Sequence, residues 1–251
     1  MNSGRTTGAS TPAALEITGL RKRYGQKVAV DDLSLRVDKG EIFGILGPNG
    51  AGKTTTVECA EGLRRPDAGR VQVFGIDPYR DRAAARQLVG VQLQESQLPD
   101  KITVGEAIEL YASFYDAPAD TEALIARLGL EEKRRSRFRK LSGGQKRRLS
   151  IALALVGSPR LVVFDELTTG LDPAARRASW KLVEELRAEG VTVLLVTHYA
   201  DEAERLCDRV ALIQAGRVAA CGRPEELIAA SHASHATLDD AIVALTTGED
   251  A

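Results

Sequence analysis

No apolar run in this sequence comes near the roughly 18 residues that a helix needs to cross a bilayer. The longest aliphatic stretches are residues 161–164 and 191–196, which excludes a membrane-spanning helix. Residues 1–13, rich in Ser, Thr, Gly and Ala, lack the apolar centre of a secretory signal and are expected to form a disordered leader. Cysteine is scarce: Cys59, Cys207 and Cys221 are odd in number and share no metal-ligand spacing, which fits reduced cytosolic thiols serving as small hydrophobes. Charge is nearly balanced, with 34 Lys and Arg against 35 Asp and Glu. There is therefore no global pull toward nucleic acid or anionic lipid, and such a partner must be reached through a local patch. At 251 residues, 43% of them hydrophobic, the chain can bury one sizeable core with a smaller lobe, but not two full-size domains.

What is present centres on residues 45–55, where an apolar strand end runs into Gly47, Pro48, Asn49, Gly50, Ala51, Gly52, Lys53, Thr54 and Thr55. A polyphosphate is best met by backbone N–H groups at the start of a helix dipole, and side chains would block that approach. The three glycines let the backbone wrap the phosphates, Lys53 reaches the outer two, and the Thr54 hydroxyl ligates Mg²⁺. The G-x-x-x-x-G-K-T pattern predicts a phosphate-binding loop between a strand at 41–46 and a helix at 55–63.

Upstream, alternation at 15–20 and again at 33–37 predicts two strands of a small antiparallel sheet, separated by residues 21–32. Tyr24 lies in that separation, either as a half-buried loop tyrosine or as a platform for a nucleobase. Downstream, residues 64–69 read as a turn, 71–74 as a short strand and 77–88 as a loop and amphipathic helix. Residues 89–94 are strand-like, and 104–126 carry one helical pattern. Together these predict a parallel sheet interrupted by a mainly helical insert.

Residues 133–148 hold nine basic side chains, a density that usually marks a solvated face. Within them Leu141, Ser142, Gly143, Gly144 and Gln145 open a second glycine-rich helix. It has no lysine, so it is either a softened helix cap or a hold on a γ-phosphate from the opposite side. Residues 161–166 form an aliphatic strand ending in two carboxylates whose faces alternate: Asp165 for Mg²⁺ or its water, Glu166 to polarise an attacking water. A further core strand at 191–196 ends at His198, placed where open α/β sheets bind ligands and able to hydrogen-bond a γ-phosphate. Residues 209–214 and 217–221 predict a hairpin around Ala215 and Gly216, and 224–230 a short helix. The tail from 231 to 251 is weakly specified, and His232 and His235 in it read as solvated rather than as a metal pair.

Over about residues 14–230 the chain resembles the ATP-binding subunit of an ABC transporter. The phosphate loop, the signature at 141–145, the Walker B strand at 161–166, the D-loop at 169–172 and the switch histidine His198 occur in the family's order. The resemblance implies an α/β P-loop NTPase core of mainly parallel sheet, with an antiparallel β subdomain and a helical subdomain at about 95–150. It implies ATP as nucleotide, adenine stacked on Tyr24, and Gln94 on the Q-loop beside Thr54 and Asp165 at Mg²⁺. Glu166 is then the base, with His198 and Gln94 also in the catalytic set. Ser142, Gly143, Gly144 and Gln145 meet the ATP held by a second copy's Lys53.

The implied partners are that second copy and a separate transmembrane permease, with no nucleic acid expected and a location on the cytoplasmic face of the cell membrane. Residues 65–69, 73–75 and 98–104 are similar to subunits of ABC-2 type exporters, including bacterial drug-resistance ones. An import ATPase is the alternative, as is a soluble member acting on ribosomes or nucleic acid. The latter would need tandem ATP modules or a long coiled coil, and this chain has neither. Leu167 departs from the proline usual after the catalytic glutamate, and is expected to loosen the loop that follows.

Overall fold

The computed structural model describes residues 13–92, 98–230 and 237–247. Residues 1–12 of the leader read over 1–13, Gln94, His232 and His235 lie outside them, while Ala13 already belongs to the first strand rather than to the leader. The chain opens with β1 (Ala13–Tyr24) and β2 (Lys27–Asp38), paired antiparallel so that Tyr24 faces Lys27 across a two-residue turn. Both strands are longer than alternation predicts, and only residues 25 and 26 separate them. The outer segment, 21–24, is mostly exposed and so carries no apolar face to announce itself. Tyr24 therefore ends a strand rather than sitting in a long loop.

Then follow β3 (Ile42–Leu46), α1 (Lys53–Ala60), β4 (Ala68–Val73), α2 (Arg82–Arg86) and β5 (Val89–Gln92). The helical insert holds α3 (Val104–Ala112), α4 (Thr121–Arg127) and the start of α5 (Gly143–Leu155). The helical pattern over 104–126 resolves into two helices, because Asp120 accepts from the N–H groups of Glu122 and Ala123 and caps a new start after Pro118. Next come β6 (Leu161–Asp165), α6 (Pro173–Ala188), β7 (Thr192–Val196), α7 (Ala200–Leu206), β8 (Arg209–Gln214), β9 (Arg217–Gly222), α8 (Pro224–Ala230) and α9 (Leu238–Thr247). The last is a correction to the tail: α9 buries Leu238 in the main core, with Ile242 and Leu245 packed against it.

Six strands in the order β5-β6-β7-β3-β8-β9 make the main sheet, parallel except for β9, and β2-β1-β4 make a separate antiparallel sheet. Alternate strand residues supply two cores. Ile42, Val162, Phe164, Val193 and Leu195 face the side covered by α3, α5, α6 and α7, while Phe43, Ile45, Val163, Leu194 and Val196 face α1 and the antiparallel sheet. This explains why the central strands read as continuous apolar runs: both faces are buried. Cys207 belongs to the first core and Cys59 to the second, whereas Cys221 is exposed.

β5 and α5 approach so closely that a Cβ on Gly90 would lie 1.9 Å from the Ala154 carbonyl oxygen. Gly90→Ala must push backbone apart, and is expected to cost about 1–3 kcal/mol by the usual penalty for overpacking. Urea unfolding of the two chains measures it, and an unchanged midpoint would contradict the close packing.

Candidate functional site

The glycine-rich loop is held by its neighbours' backbones. Gly47 has φ 149° and Gly52 φ 106°. A Cβ on Gly47 would stand 2.1 Å from the Ile213 carbonyl oxygen of β8, and one on Gly52 2.5 Å from the Ala29 carbonyl oxygen of β2. The tip of the β8–β9 hairpin completes the clamp: the Gly216 N–H donates to the Ala51 carbonyl at 2.8 Å, and the Asp31 N–H to the Gly216 carbonyl at 2.9 Å. Gly52 precedes α1 without any side-chain cap, leaving the helix's first N–H groups free of side-chain acceptors. Lys53 curls over the loop, its Nζ donating to the carbonyls of Gly47 at 2.6 Å and Pro48 at 3.0 Å. Burial lowers its pKa, opposed by the carboxylates of Glu166 and Asp165.

A cavity of about 450 Å³ opens over this loop, lined by Tyr24, Lys27, Ala29, Asn49, Gly50, Gly52, Lys53, Thr54, Thr55, Asp165 and Glu166. Tyr24, the phosphate loop and the two acids thus converge, though they come from three separate stretches of chain. Tyr24 is 42% exposed. Asp165 ends β6, and burial raises its pKa, helped by Glu166 and opposed by Lys53 and Arg147. Glu166 turns out of the strand with φ 52°, its N–H donating to the Val196 carbonyl at 2.8 Å. His198, just beyond β7, places Nδ1 3.3 Å from Glu166 Oε1.

The signature residues lie elsewhere. Ser142 caps α5 by accepting from the Gln145 N–H, and the Gln145 side chain accepts from the Ser142 N–H. Ser142, Gly143 and Gly144 are exposed, and none of residues 142–145 lines the cavity over Lys53. A Cβ on Gly143 or Gly144 would meet nothing within 4 Å, so the chain's own packing does not demand glycine there.

Where the family has proline, the Leu167 side chain is fully buried, and its carbonyl accepts from Arg147 Nε at 3.0 Å. The basic run is also less solvated than its density suggests. Arg134 pairs with Glu109 and Glu122, Arg147 binds backbone at 166 and 167, and Arg148 donates to the carbonyls of Leu128 and Gly129. Sequence reading missed Glu61 and Glu202 altogether, because no spacing distinguishes an acid turned inward from one turned out.

The comparisons with known proteins agree with this geometry. The family model described as ABC transporter matches residues 30–169. The Nod factor export ATP-binding protein I of Ralstonia nicotianae is 45% identical over 224 residues, covering 87% of this chain and 70% of that protein. A solved ATP-binding subunit of an ABC transporter superposes with TM-score 0.86 at 30% identity, covering 92% of this chain and 99% of that one. A dimeric ATP-binding cassette in a post-hydrolysis state with ADP and Pi superposes with TM-score 0.74 at 25% identity, covering 83% and 98%.

Glu61, just past α1, has its carboxyl pushed up to about 8 by burial first and then by the charges of Asp165 and Glu58. Its unfolded value is near 4.5, so above that pH unfolding releases a proton that the folded state retains. The contribution of Glu61 is therefore complete below pH 4.5 and is lost as the pH rises toward about 8. Glutamine imitates the protonated form. In nucleotide-free protein Glu61→Gln should leave Tm unchanged near pH 4.5 and raise it near pH 8, and an equal gain at both would refute the burial of this acid.

Proposed function

The chain belongs to the ABC transporter family as one of its ATP-binding, ATP-hydrolysing subunits, and from that membership we propose that ATP closes two copies of it face to face to drive a separate membrane permease, in the direction of export. The observation that carries this reading is the division of the site: one cavity gathers Tyr24, the phosphate loop, Asp165 and Glu166, while the exposed signature glycines lie outside it. Glycines that their own chain does not need are explained by close approach of another molecule, and a second copy's bound phosphates supply one. The dimeric structural neighbour and the export function named for the Ralstonia relative support the two halves of the proposal.

In this scheme the loop N–H groups and Lys53 hold the outer phosphates, and Tyr24 stacks on adenine. Thr54 and Asp165 would hold Mg²⁺, with Gln94 completing the set. Among the described residues no group of three or more His, Cys, Asp or Glu side chains is placed to hold a metal ion by itself. A hydroxyl and a carboxylate suit Mg²⁺, which is ordinarily bound by one or two protein groups plus substrate phosphates. When bound, the ion neutralises charge on the phosphates. Glu166 accepts the proton of the attacking water, and His198, held beside it, hydrogen-bonds the γ-phosphate. Ser142, Gly143, Gly144 and Gln145 of the second copy close the open side. Among the described residues no helix is long and apolar enough to cross a membrane. The permease supplies the transmembrane path, with this subunit peripheral on its cytoplasmic side. Exposed Leu110 and Phe114 on the helical insert offer an apolar contact for it.

Glu166→Gln should leave ATP affinity nearly intact while slowing hydrolysis by roughly 10²- to 10⁴-fold, the usual worth of a positioned base. The same tagged variant, loaded with Mg-ATP, should pull a polytopic membrane protein from mild-detergent extracts. Full activity in the variant, equal loss of affinity and turnover, or recovery without any membrane protein would each count against the scheme.

A further inference from the structure

Arg147 sits in the most basic stretch of the chain but does not behave as a surface arginine. It lies in the first turns of α5, and its guanidinium is directed back at the exit of β6. Nε donates to the Leu167 carbonyl at 3.0 Å, and Nη2 donates to the Glu166 carbonyl. Burial lowers its pKa, opposed by the carboxylates of Glu166, Asp165 and Glu202. A desolvated cation is costly unless it is paired and fully hydrogen-bonded, so its placement calls for a return elsewhere in the fold.

The backbone it grips is unusual. Glu166 has φ 52°, a left-handed conformation that is strained for a side-chain-bearing residue and persists only where its surroundings over-determine it. Here the Glu166 N–H is tied to Val196 at 2.8 Å, and its carbonyl accepts from the Thr169 N–H at 3.2 Å as well as from Arg147. That bend carries the Glu166 side chain into the cavity and against His198.

Glu202 is the third and weakest of the carboxylates whose charge acts on Arg147. It lies in the first turn of α7, is 0% exposed, and accepts from Trp180 Nε1 of α6 at 3.1 Å through Oε1. Its Oε2 has no hydrogen-bond partner among the described residues.

We propose that Arg147 is a positioning residue for hydrolysis: from the signature helix it fixes the backbone of Glu166 and Leu167 through its two hydrogen bonds. The placement of the base then depends on where α5 sits. Because Ser142 caps that same helix, contact made at a chain's signature by the other copy's nucleotide is transmitted rigidly to its own Glu166. The inference rests on Glu166 acting as the base.

The test is a double-mutant cycle in the full chain, with Arg147→Gln and Glu166→Gln made singly and together. Single-turnover hydrolysis of labelled ATP and equilibrium ATP affinity are read for each. Arg147→Gln should slow hydrolysis roughly 10- to 100-fold, the scale of a misplaced catalytic group, at unchanged ATP affinity. In the Glu166→Gln background the same change should alter the rate by no more than about twofold, since a residue acting only through Glu166 has nothing left to position. Equal slowing in both backgrounds overturns the positioning role while leaving the base in place, and so does a full rate for Arg147→Gln alone. A full rate for Glu166→Gln alone is a different result: it removes the base itself and this inference with it. If Arg147→Gln does not fold, Arg147→Lys enters the same cycle. It keeps the positive charge and one donor for two carbonyls, so intermediate slowing that vanishes with Glu166→Gln is expected, and slowing that persists overturns the role.

Discussion

Backbone lies against backbone beneath the phosphate loop, and the rest of the site depends on that contact. The Ile213 carbonyl occupies the space where a Cβ on Gly47 would stand, the Ala29 carbonyl does the same at Gly52, and the hairpin tip at Gly216 bonds to Ala51. The loop is therefore shaped by β2 and β8 together, not by its own sequence alone. Since β2 belongs to the antiparallel sheet and β8 to the parallel one, the cavity lies where the two sheets meet, and Tyr24 reaches it from the end of β1. Glycine at 47 and 52 is required by this packing, whereas at 143 and 144 it is not. That difference separates glycines that serve the fold from those free to serve a partner.

Around the loop, charge is concentrated where water is scarce. Lys53 and Arg147 are cations made less basic by burial, and Asp165 and Glu61 are acids made weaker by it. Each cation is opposed by the carboxylates at the end of β6, so the site is a balanced cluster rather than a one-signed patch. This fits a near-neutral chain that handles a highly charged ligand: the field needed is local, and low dielectric strengthens it.

Much of the site was legible because its chemistry is written in short, contiguous motifs. The loop at 47–55, the acids at 165 and 166, the capped helix at 142–145 and His198 are each encoded within a few residues, and strand burial on both faces marks 161–165 and 192–196 as apolar runs. What could not be read depends on contacts across the fold. The outer hairpin of β1 and β2 has no buried face to produce alternation. The split between α3 and α4 turns on an Asp120 cap set in a continuing apolar pattern. Helix α7 is short and mostly polar, and α9 gains its place only by docking Leu238, Ile242 and Leu245. Arg147 stands among nine basic residues in sequence and is singled out only by the two carbonyls it meets.

The central claim is that one chain's signature completes the site built on another's Lys53. Two variants that are each unable to trap nucleotide test it most directly: Lys53→Ala and Ser142→Arg, both carrying Glu166→Gln so that bound ATP persists. Each alone forms a homodimer whose two sites lack either the lysine or the signature serine. Mixed with Mg-ATP and captured through two different tags, they form a dimer in which one site joins an intact Lys53 to an intact Ser142. The account predicts trapped ATP in that mixed dimer and none in either parent. A mixed dimer without ATP, or the absence of any mixed dimer, would contradict it.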